Sequence, residues 1–81
     1  MRELVYTIVS NLVDDPSKIE VNHVEGQKTD IIEIIVPRED LGKIIGKKGN
    51  TANAIRSIVY AASFKTKKRY TIDITTEDRS V

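Results

Sequence analysis

The sequence contains no cysteine and no tryptophan, and none of its apolar runs is long. The absence of cysteine excludes disulfides and thiol chemistry. No run approaches the roughly 20 apolar residues that a membrane-spanning helix needs. The first residues also lack the charged, apolar and cleavage regions of a secretory signal. We therefore expect a cytoplasmic protein of 81 residues that does not associate with membranes.

Groups suited to catalysis are equally scarce. His23 is the only histidine. It falls within a predicted strand, and no cluster of metal-ligating residues accompanies it. Asp14-Asp15 is best explained as a turn that ends a helix, and Glu39-Asp40 as the first turn of another helix. The sequence therefore predicts a protein that is not an enzyme, with no metal, cofactor or small-molecule substrate.

Aromatic residues are few, with three tyrosines and one phenylalanine. Tyr6, Tyr60, Phe64 and Tyr70 are scattered along the chain. They do not form the stacking platform by which RRM and OB folds bind single-stranded nucleic acid.

The net charge is only +1, but the two halves of the chain differ in sign. Residues 1–42 hold four basic and nine acidic residues, whereas residues 43–81 hold nine basic and three acidic residues. A basic face attracts polyanions even when the whole protein is nearly neutral. The asymmetry favours a polyanion-binding face in the second half, although a merely solvated surface would show it too.

The basic half begins at a stretch with three glycines, Leu41-Gly42-Lys43-Ile44-Ile45-Gly46-Lys47-Lys48-Gly49. Glycine on both sides of Lys47-Lys48 lets the backbone turn sharply and lets another backbone come close. The helix predicted to follow offers free N–H groups and the positive end of its dipole. A phosphate at this point would meet backbone donors and two ammonium groups together.

Periodicity and turn residues predict six elements. Helical spacing of apolar residues indicates helices over residues 2–13, 37–45 and 50–64, with Asn50 or Thr51 as the cap of the third. Alternating and β-branched residues indicate strands over residues 18–25, 29–36 and 69–75. These elements make one domain over residues 1–75, followed by a polar tail over residues 76–81.

The order helix, strand, strand, helix, helix, strand predicts an α+β fold. The short turn around Gly26 makes the first two strands an antiparallel hairpin. A strand–helix–helix–strand crossover favours a parallel neighbour, so the third strand should pair in parallel with the second. We expect a three-stranded mixed sheet with three helices on one face. Alternation turns these residues toward the helices: Ile19, Val21, Ile32, Ile34, Val36, Tyr70, Ile72 and Ile74. It places polar residues, together with Ile31 and Ile35, on the open face.

Two other glycine motifs do not fit the loop. A Walker A loop needs four residues between its first glycine and Gly-Lys-[Ser/Thr], but three separate Gly42 from Gly46, and Lys48 occupies the Ser/Thr position. A Rossmann fingerprint would place its first glycine at Ile44. A plain helix–helix turn with solvated lysines stays open as an alternative.

The run Ile44-Ile45-Gly46-Lys47-Lys48-Gly49 resembles the signature of the KH domain, in which a G-x-x-G loop holds the backbone of single-stranded nucleic acid. The order of elements is that of the type II KH fold, so the resemblance covers nearly the whole chain. The length, the Leu-Val-Asp-Asp-Pro end of the first helix and the run from Gly42 to Val59 are similar to the small stand-alone bacterial KH proteins of the KhpA type.

This resemblance implies a cytosolic RNA-binding protein acting in post-transcriptional regulation or RNA chaperoning linked to cell elongation and division. It also implies a homodimer, or a heterodimer with a larger KH-containing partner of the KhpB type. Gly46 and Gly49 would shape the loop, and Lys47 and Lys48 would supply charge to phosphates. The expected flanking and groove residues are Lys43, Arg56, Gly42, Ile45, Ala52 and Ile35. Ile44 is expected to pack in the core.

A second interpretation is that the chain serves chiefly as a protein–protein interaction module. The third helix is apolar over a wider arc than one sheet face needs, through Ile58, Ala54 and Ala61. This extra width indicates either a dimer interface or contact with the first helix. The basic connection from Lys65 to Arg69 would either extend an RNA surface or remain solvated.

Overall fold

The computed structural model describes residues 1–77, and it contains the six predicted elements in the predicted order. Three helices and three strands are α1 (Arg2–Ser10), β1 (Glu20–Val24), β2 (Thr29–Val36), α2 (Arg38–Ile45), α3 (Asn50–Thr66) and β3 (Arg69–Thr76). Thr76 thus belongs to β3, although the sequence places it in the tail. The rest of the expected tail, residues 78–81, lies outside the described residues.

The three strands form one sheet in the order β1-β2-β3. β1 runs antiparallel to β2, with Glu20 opposite Ile35 and Val24 opposite Ile31. β3 runs parallel to β2, with Thr29 opposite Arg69. The predicted hairpin, the parallel pairing and the mixed sheet are confirmed, and α2 and α3 form the crossover between β2 and β3.

Alternation along the strands divides the sheet into two unlike faces. The face toward the helices carries Val21, Ile32, Ile34 and Val36, all fully buried. They pack with residues of the helices, chiefly Val5, Val9, Ile44, Ile55 and Val59. The opposite face carries Ile31, which is 40% exposed, as strict alternation predicted.

The first helix is shorter than predicted and ends at Ser10 instead of residue 13. Two side chains bond the carbonyl of Thr7: Ser10 Oγ donates at 3.0 Å and Asn11 Nδ2 at 2.7 Å. Such side-chain bonds compete with the backbone ladder and favour the end of a helix. β1 also begins late, because Pro16–Lys18 forms a 3₁₀ turn in which Asp15 Oδ1 accepts from the Ser17 N–H at 3.0 Å.

A buried aspartate joins the hairpin to the start of β3, and sequence analysis missed it. Asp30 is 1% exposed. Its carboxylate lies 2.7 Å from His23 Nε2, accepts from the Gly26 N–H at 3.1 Å, and pairs with Lys68 Nζ at 3.1 Å. These partners lower the pKa of Asp30 to about 2, and the hydrogen bond with His23 is the largest cause. Asp30 lies on the inward side of β2 with Ile32 and Ile34. The alternation of the strand was therefore the signal in the sequence from which its burial could have been predicted.

Candidate nucleic-acid interface

The loop between α2 and α3 has a backbone that requires glycine at its first position. Gly46 has φ 76° and ψ 174°, a region that only glycine occupies readily. A Cβ at Gly46 would also collide with the Thr51 side chain and lie 2.8 Å from the Thr51 nitrogen. Gly49 has φ 77° and ψ 11°, but a Cβ there would meet no atom within 4 Å. Gly46 therefore allows the loop to close tightly on the first turn of α3.

Lys47 and Lys48 project from this turn into solvent. Both are exposed, and neither forms an ion pair within residues 1–77. Lys48 lies in the left-handed region, with φ 55° and ψ 27°, between the two glycines. The two ammonium groups are thus available to an anion from outside the molecule.

α3 begins at the loop without a side-chain cap. Its N-cap is Gly49, which makes no side-chain cap bond, contrary to the expectation that Asn50 or Thr51 would cap the helix. Thr51 instead packs against Gly46. The positive end of the helix dipole therefore lies directly beside the two lysines, where it adds to the attraction for an anion.

Lys43 lies one turn before the loop, but it already has acidic partners. Its Nζ is 2.7 Å from Asp14 Oδ2 and 3.4 Å from Asp40 Oδ1. The hydrogen bond to Asp14 is the main reason that the pKa of Lys43 is raised. The pair with Asp14 links α2 to the turn after α1. The positive charge of Lys43 is therefore partly neutralised, so it is less available to an external anion than that of Lys47 or Lys48.

The groove residues predicted on α2 and α3 differ in accessibility. Ile45 is 39% exposed beside the loop, whereas Ile44 is fully buried in the core, as predicted. Gly42 is exposed, and a Cβ there would meet nothing within 4 Å. Ala52 is only 4% exposed. This burial places Ala52 among the core residues, so its methyl group is not itself open to a ligand.

A narrow groove runs between α3 and the edge strand β3. Its volume is about 290 Å³, and its lining includes Arg56, Tyr60, Tyr70 and Ile72. The guanidinium of Arg56 lies 3.4 Å from Asn53 Oδ1 and remains exposed. The sequence placed Arg56 near the loop but did not place the tyrosines, because the groove forms only when β3 pairs beside β2.

Ile35 does not join this group. It lies on the open face of the sheet, opposite Glu20 and Thr75 in register. It lines a separate depression whose other residues include Lys18, Glu39 and Glu77. The structure therefore separates Ile35 from the loop and surrounds it with more acidic than basic groups, so it does not form a groove wall with the other predicted residues.

The predicted interface residues form a surface of their own on α3. Ile58 is 44% exposed, and Ala54 and Ala61 lie on the same side of the helix, exposed to solvent. At 3.6 residues per turn, Ile58 points about 160° away from Arg56 around the helix axis. The Ile58 face and the α3–β3 groove therefore lie on nearly opposite flanks of one helix.

Within residues 1–77, no helix is long and apolar enough to cross a membrane. In the same residues, no three His, Cys, Asp or Glu side chains are placed to hold a metal ion.

A glycine loop between two helices, over a mixed sheet in this order, defines a type II KH domain. A model of the "KhpA/KhpB, KH domain" family matches residues 2–74. The chain therefore belongs to the KhpA/KhpB family of KH domains.

Relatives from two bacterial species support the assignment. The chain is 51% identical over 74 residues to "RNA-binding protein KhpA" of Caldanaerobacter subterraneus, covering 91% of this chain and 99% of that protein. It is 46% identical to the protein of the same name in Clostridium perfringens, again over 91% and 99% of the two chains. Both names are those of a binding protein, not of an enzyme.

A larger protein contains a similar fold. The crystal structure of a variant of Aquifex aeolicus Era, bound to GDP and aluminium fluoride, matches with a TM-score of 0.63 and 25% identity. The match covers 93% of this chain and 29% of the Era chain. A second Era structure, described as a complex with MgGDPNP and nucleotides 1506–1542 of 16S ribosomal RNA, matches with a TM-score of 0.57.

Proposed function

We propose that this protein binds single-stranded RNA without catalysing a reaction, and that the Gly46–Gly49 loop holds the RNA backbone. The observation that carries the proposal is the loop itself. Two exposed lysines without acidic partners in the described residues stand at the uncapped start of α3. The names of the relatives and the known role of G-x-x-G loops in KH domains support the same function.

The chemistry of the loop suits a phosphodiester. Each phosphate is a compact anion, and it is stabilised by ammonium groups and by the positive end of a helix. At Gly49 the space where a Cβ would project is open, so a backbone can approach closely there, whereas Gly46 is needed for the turn itself. Because backbone contacts carry no sequence information, the loop would fix the position of the strand and leave base selection to the groove.

The bases would lie between the loop and the α3–β3 groove. Gly42 and Ile45 would form the wall on α2, and Ala52 would permit close approach from α3. Further along α3, the bases would enter the groove that is lined by Arg56 and Ile72. KH domains hold about four nucleotides in this manner. Such a site is small, so we expect modest affinity for one domain.

The test compares RNA binding by wild type and by the Lys47→Asp/Lys48→Asp variant, using fluorescence anisotropy of a labelled single-stranded RNA. Asp tolerates the left-handed conformation of residue 48, so the variant should fold, and circular dichroism checks this. The Lys18→Asp/Lys28→Asp variant is the control, because it changes the net charge equally at two exposed lysines outside the loop. Loss of binding in the loop variant alone is expected. Equal binding by the loop variant and wild type would overturn the proposal.

We also propose that the chain pairs through the Ile58 face, either as a homodimer or with a larger KH-containing partner of the KhpB type. The observation that favours this second function is the exposed apolar side of α3 formed by Ile58, Ala54 and Ala61. A domain with one small binding site gains avidity when two copies act on one strand. Because Ile58 and Arg56 lie on opposite flanks of α3, pairing would leave the groove accessible.

Light scattering after size-exclusion chromatography tests this interface. The Ile58→Asp variant is expected to elute at the mass of one chain, whereas wild type elutes at the mass of two. The Ile31→Asp variant, at a similarly exposed residue on the open sheet face, is the control. A dimer of unchanged mass in a folded Ile58→Asp variant would remove this face from the interface.

The cellular role proposed from the family resemblance is cytoplasmic post-transcriptional regulation or RNA chaperoning linked to cell elongation and division. The resemblance alone supports that role.

A further inference from the structure

A second cleft lies at the far end of α3, away from the glycine loop. It has a volume of about 680 Å³, and it lies between the last turns of α3 and the first residues of β3. Its lining combines aromatic and basic side chains, chiefly Tyr60, Phe64, Tyr70, Lys67, Lys68 and Arg69. None of these residues belongs to the loop or to the Ile58 face.

The aromatic side chains of this cleft are unusually exposed. Tyr60 and Phe64 are each 67% exposed, and their ring centroids lie 5.0 Å apart with an angle of 68° between the planes. They lie four residues apart and therefore stand on the same side of α3. Large aromatic rings held in solvent leave apolar area uncovered, and they offer flat surfaces on which a base can stack.

The basic side chains of the cleft divide into one that is already paired and two that are not. Lys68 Nζ lies 3.1 Å from Asp30 Oδ1 and 3.9 Å from Glu25 Oε2, so carboxylates already compensate its charge. Lys67 and Arg69 have no ion pair within residues 1–77, and both are exposed. Lys67 ends α3 in the left-handed conformation, with φ 59°. Two free cations therefore stand beside the exposed rings.

The cleft adjoins the α3–β3 groove. Tyr60, Tyr70 and Thr71 line both cavities. The groove and the cleft together follow α3, whose 17 residues span about 25 Å at 1.5 Å per residue. A strand held by the loop at one end of α3 and passing Arg56 would reach the rings at the other end.

We propose that this cleft binds the base and phosphate of an RNA nucleotide beyond those that the loop and groove hold, with the base on Tyr60 and Phe64 and the phosphate near Lys67 and Arg69. The inference rests on the proposed RNA binding and extends the footprint of the domain past the usual four or so nucleotides. Rings flanked by unpaired cations favour RNA over an apolar protein segment, because such a segment would leave the positive charges uncompensated.

The experiment titrates isotope-labelled protein with mixed-sequence pools of single-stranded RNA, four or eight nucleotides long, and follows the backbone amide signals by NMR. The four-nucleotide pool is expected to shift only signals at the loop and groove. The eight-nucleotide pool should also shift signals of residues 67–69, which line the cleft but not the groove, and bind more tightly. Alanine substitution of a stacking aromatic weakens single-strand binding by about fivefold or more per base. We therefore expect Phe64→Ala, at a ring that lines the cleft but not the groove, to reduce binding of the longer pool at least fivefold and to leave the shorter pool unaffected.

Two further variants give this experiment its controls. Phe64→Tyr keeps a stacking ring and should retain binding of the longer pool. Val24→Ala/Ile31→Ala removes exposed apolar side chains from the open face and should behave as wild type.

Three results would overturn the inference, and each is distinct. Unchanged signals at residues 67–69 with the longer pool, while both pools shift the loop, would leave the proposed RNA binding intact and remove the cleft. A mass change in Phe64→Ala by light scattering, with RNA binding intact, would make the cleft a protein interface. Absence of shifts at the loop with either pool would remove the proposed RNA binding as well.

Discussion

Gly46 shows how one residue determines the shape of the candidate site. Its φ of 76° and ψ of 174°, together with the contact to Thr51, exclude any other side chain without rearrangement. Gly42, only four residues earlier, is helical and faces open space. The same substitution at these two glycines should therefore have opposite effects on stability.

We predict that Gly46→Ala lowers the free energy of unfolding by about 1–3 kcal/mol or more, since backbone strain alone has that magnitude. Gly42→Ala should raise it by about 0.5–1 kcal/mol, because alanine is the better helix former. Urea denaturation followed by circular dichroism measures both. Equal stability of Gly46→Ala and wild type would contradict the geometry of the loop.

Asp30 makes the hairpin sensitive to acid. Its pKa is lowered from 3.8 to about 2, chiefly by the hydrogen bond with His23 and then by the Gly26 N–H. A carboxylate with a lowered pKa stabilises the folded state above its unfolded pKa, and this contribution disappears as the pH falls through the folded pKa. The sensitive window is therefore about pH 4 down to about pH 2.

We predict that wild type loses stability across this window and that Asp30→Asn loses less there, because Asn does not titrate. At pH 7 the variant should be less stable than wild type, since the ion pair with Lys68 is gone. Urea midpoints measured from pH 7 to pH 2 provide the readout, with Asp73→Asn, an exposed position on the open face, as the control. Parallel pH profiles for Asp30→Asn and wild type would refute the role of Asp30.

At the scale of one element, the end of α2 sets two adjacent isoleucines in different environments. Ile44 is fully buried, whereas Ile45 is 39% exposed beside the loop. Truncation of a buried isoleucine to alanine lowers stability by about 2–5 kcal/mol, because contacts are lost and a cavity remains. Truncation of an exposed one has a much smaller effect.

We predict that Ile44→Ala destabilises the fold by about 2–5 kcal/mol. Ile45→Ala should change stability by less than about 1 kcal/mol and instead weaken RNA binding. Denaturant unfolding and anisotropy on both variants separate the two roles. A large loss of stability in Ile45→Ala would move this residue from the groove wall into the core.

The elements also show which features a sequence can predict. β2 matched its predicted range of 29–36, because a run of β-branched residues between a turn and Pro37 leaves few alternatives. The early end of α1 was not predicted, because it depends on hydrogen bonds from the side chains of Ser10 and Asn11. The helical spacing of apolar residues does not reveal such bonds. Asp30 and Lys68 are 38 residues apart in sequence, and only the folded chain brings them together.

The candidate site also has parts that the sequence predicts and parts that only the folded chain shows. Gly46, Lys47, Lys48 and Gly49 form a local motif, so the sequence alone located the loop. The α3–β3 groove depends on parallel pairing of β3 beside β2, so Tyr60 and Tyr70 appeared in the sequence only as scattered aromatics. Ile35 was assigned to a groove wall, and the alternation of β2 placed it on the other face.

On the scale of the whole molecule, the two proposed functions would use opposite flanks of α3. If the Ile58 face pairs two chains, each dimer carries two loops, and a long RNA can engage both. We predict that Ile58→Asp leaves the affinity for a single-site RNA unchanged and weakens binding to an RNA with two sites by at least about tenfold, because avidity is lost. Anisotropy with both RNAs measures this. Equal weakening on the two RNAs would contradict the separation of the surfaces.

The most direct test of the central claim is the salt dependence of RNA binding in wild type and in Lys47→Asp/Lys48→Asp. Each phosphate contact with a single strand contributes about −0.7 to the slope of log K against log salt concentration. If the two lysines hold phosphates, the slope of the loop variant should be shallower by about 1.4 or more, and its affinity at low salt should fall. An unchanged slope and affinity in a folded variant would show that the backbone of the RNA is held elsewhere.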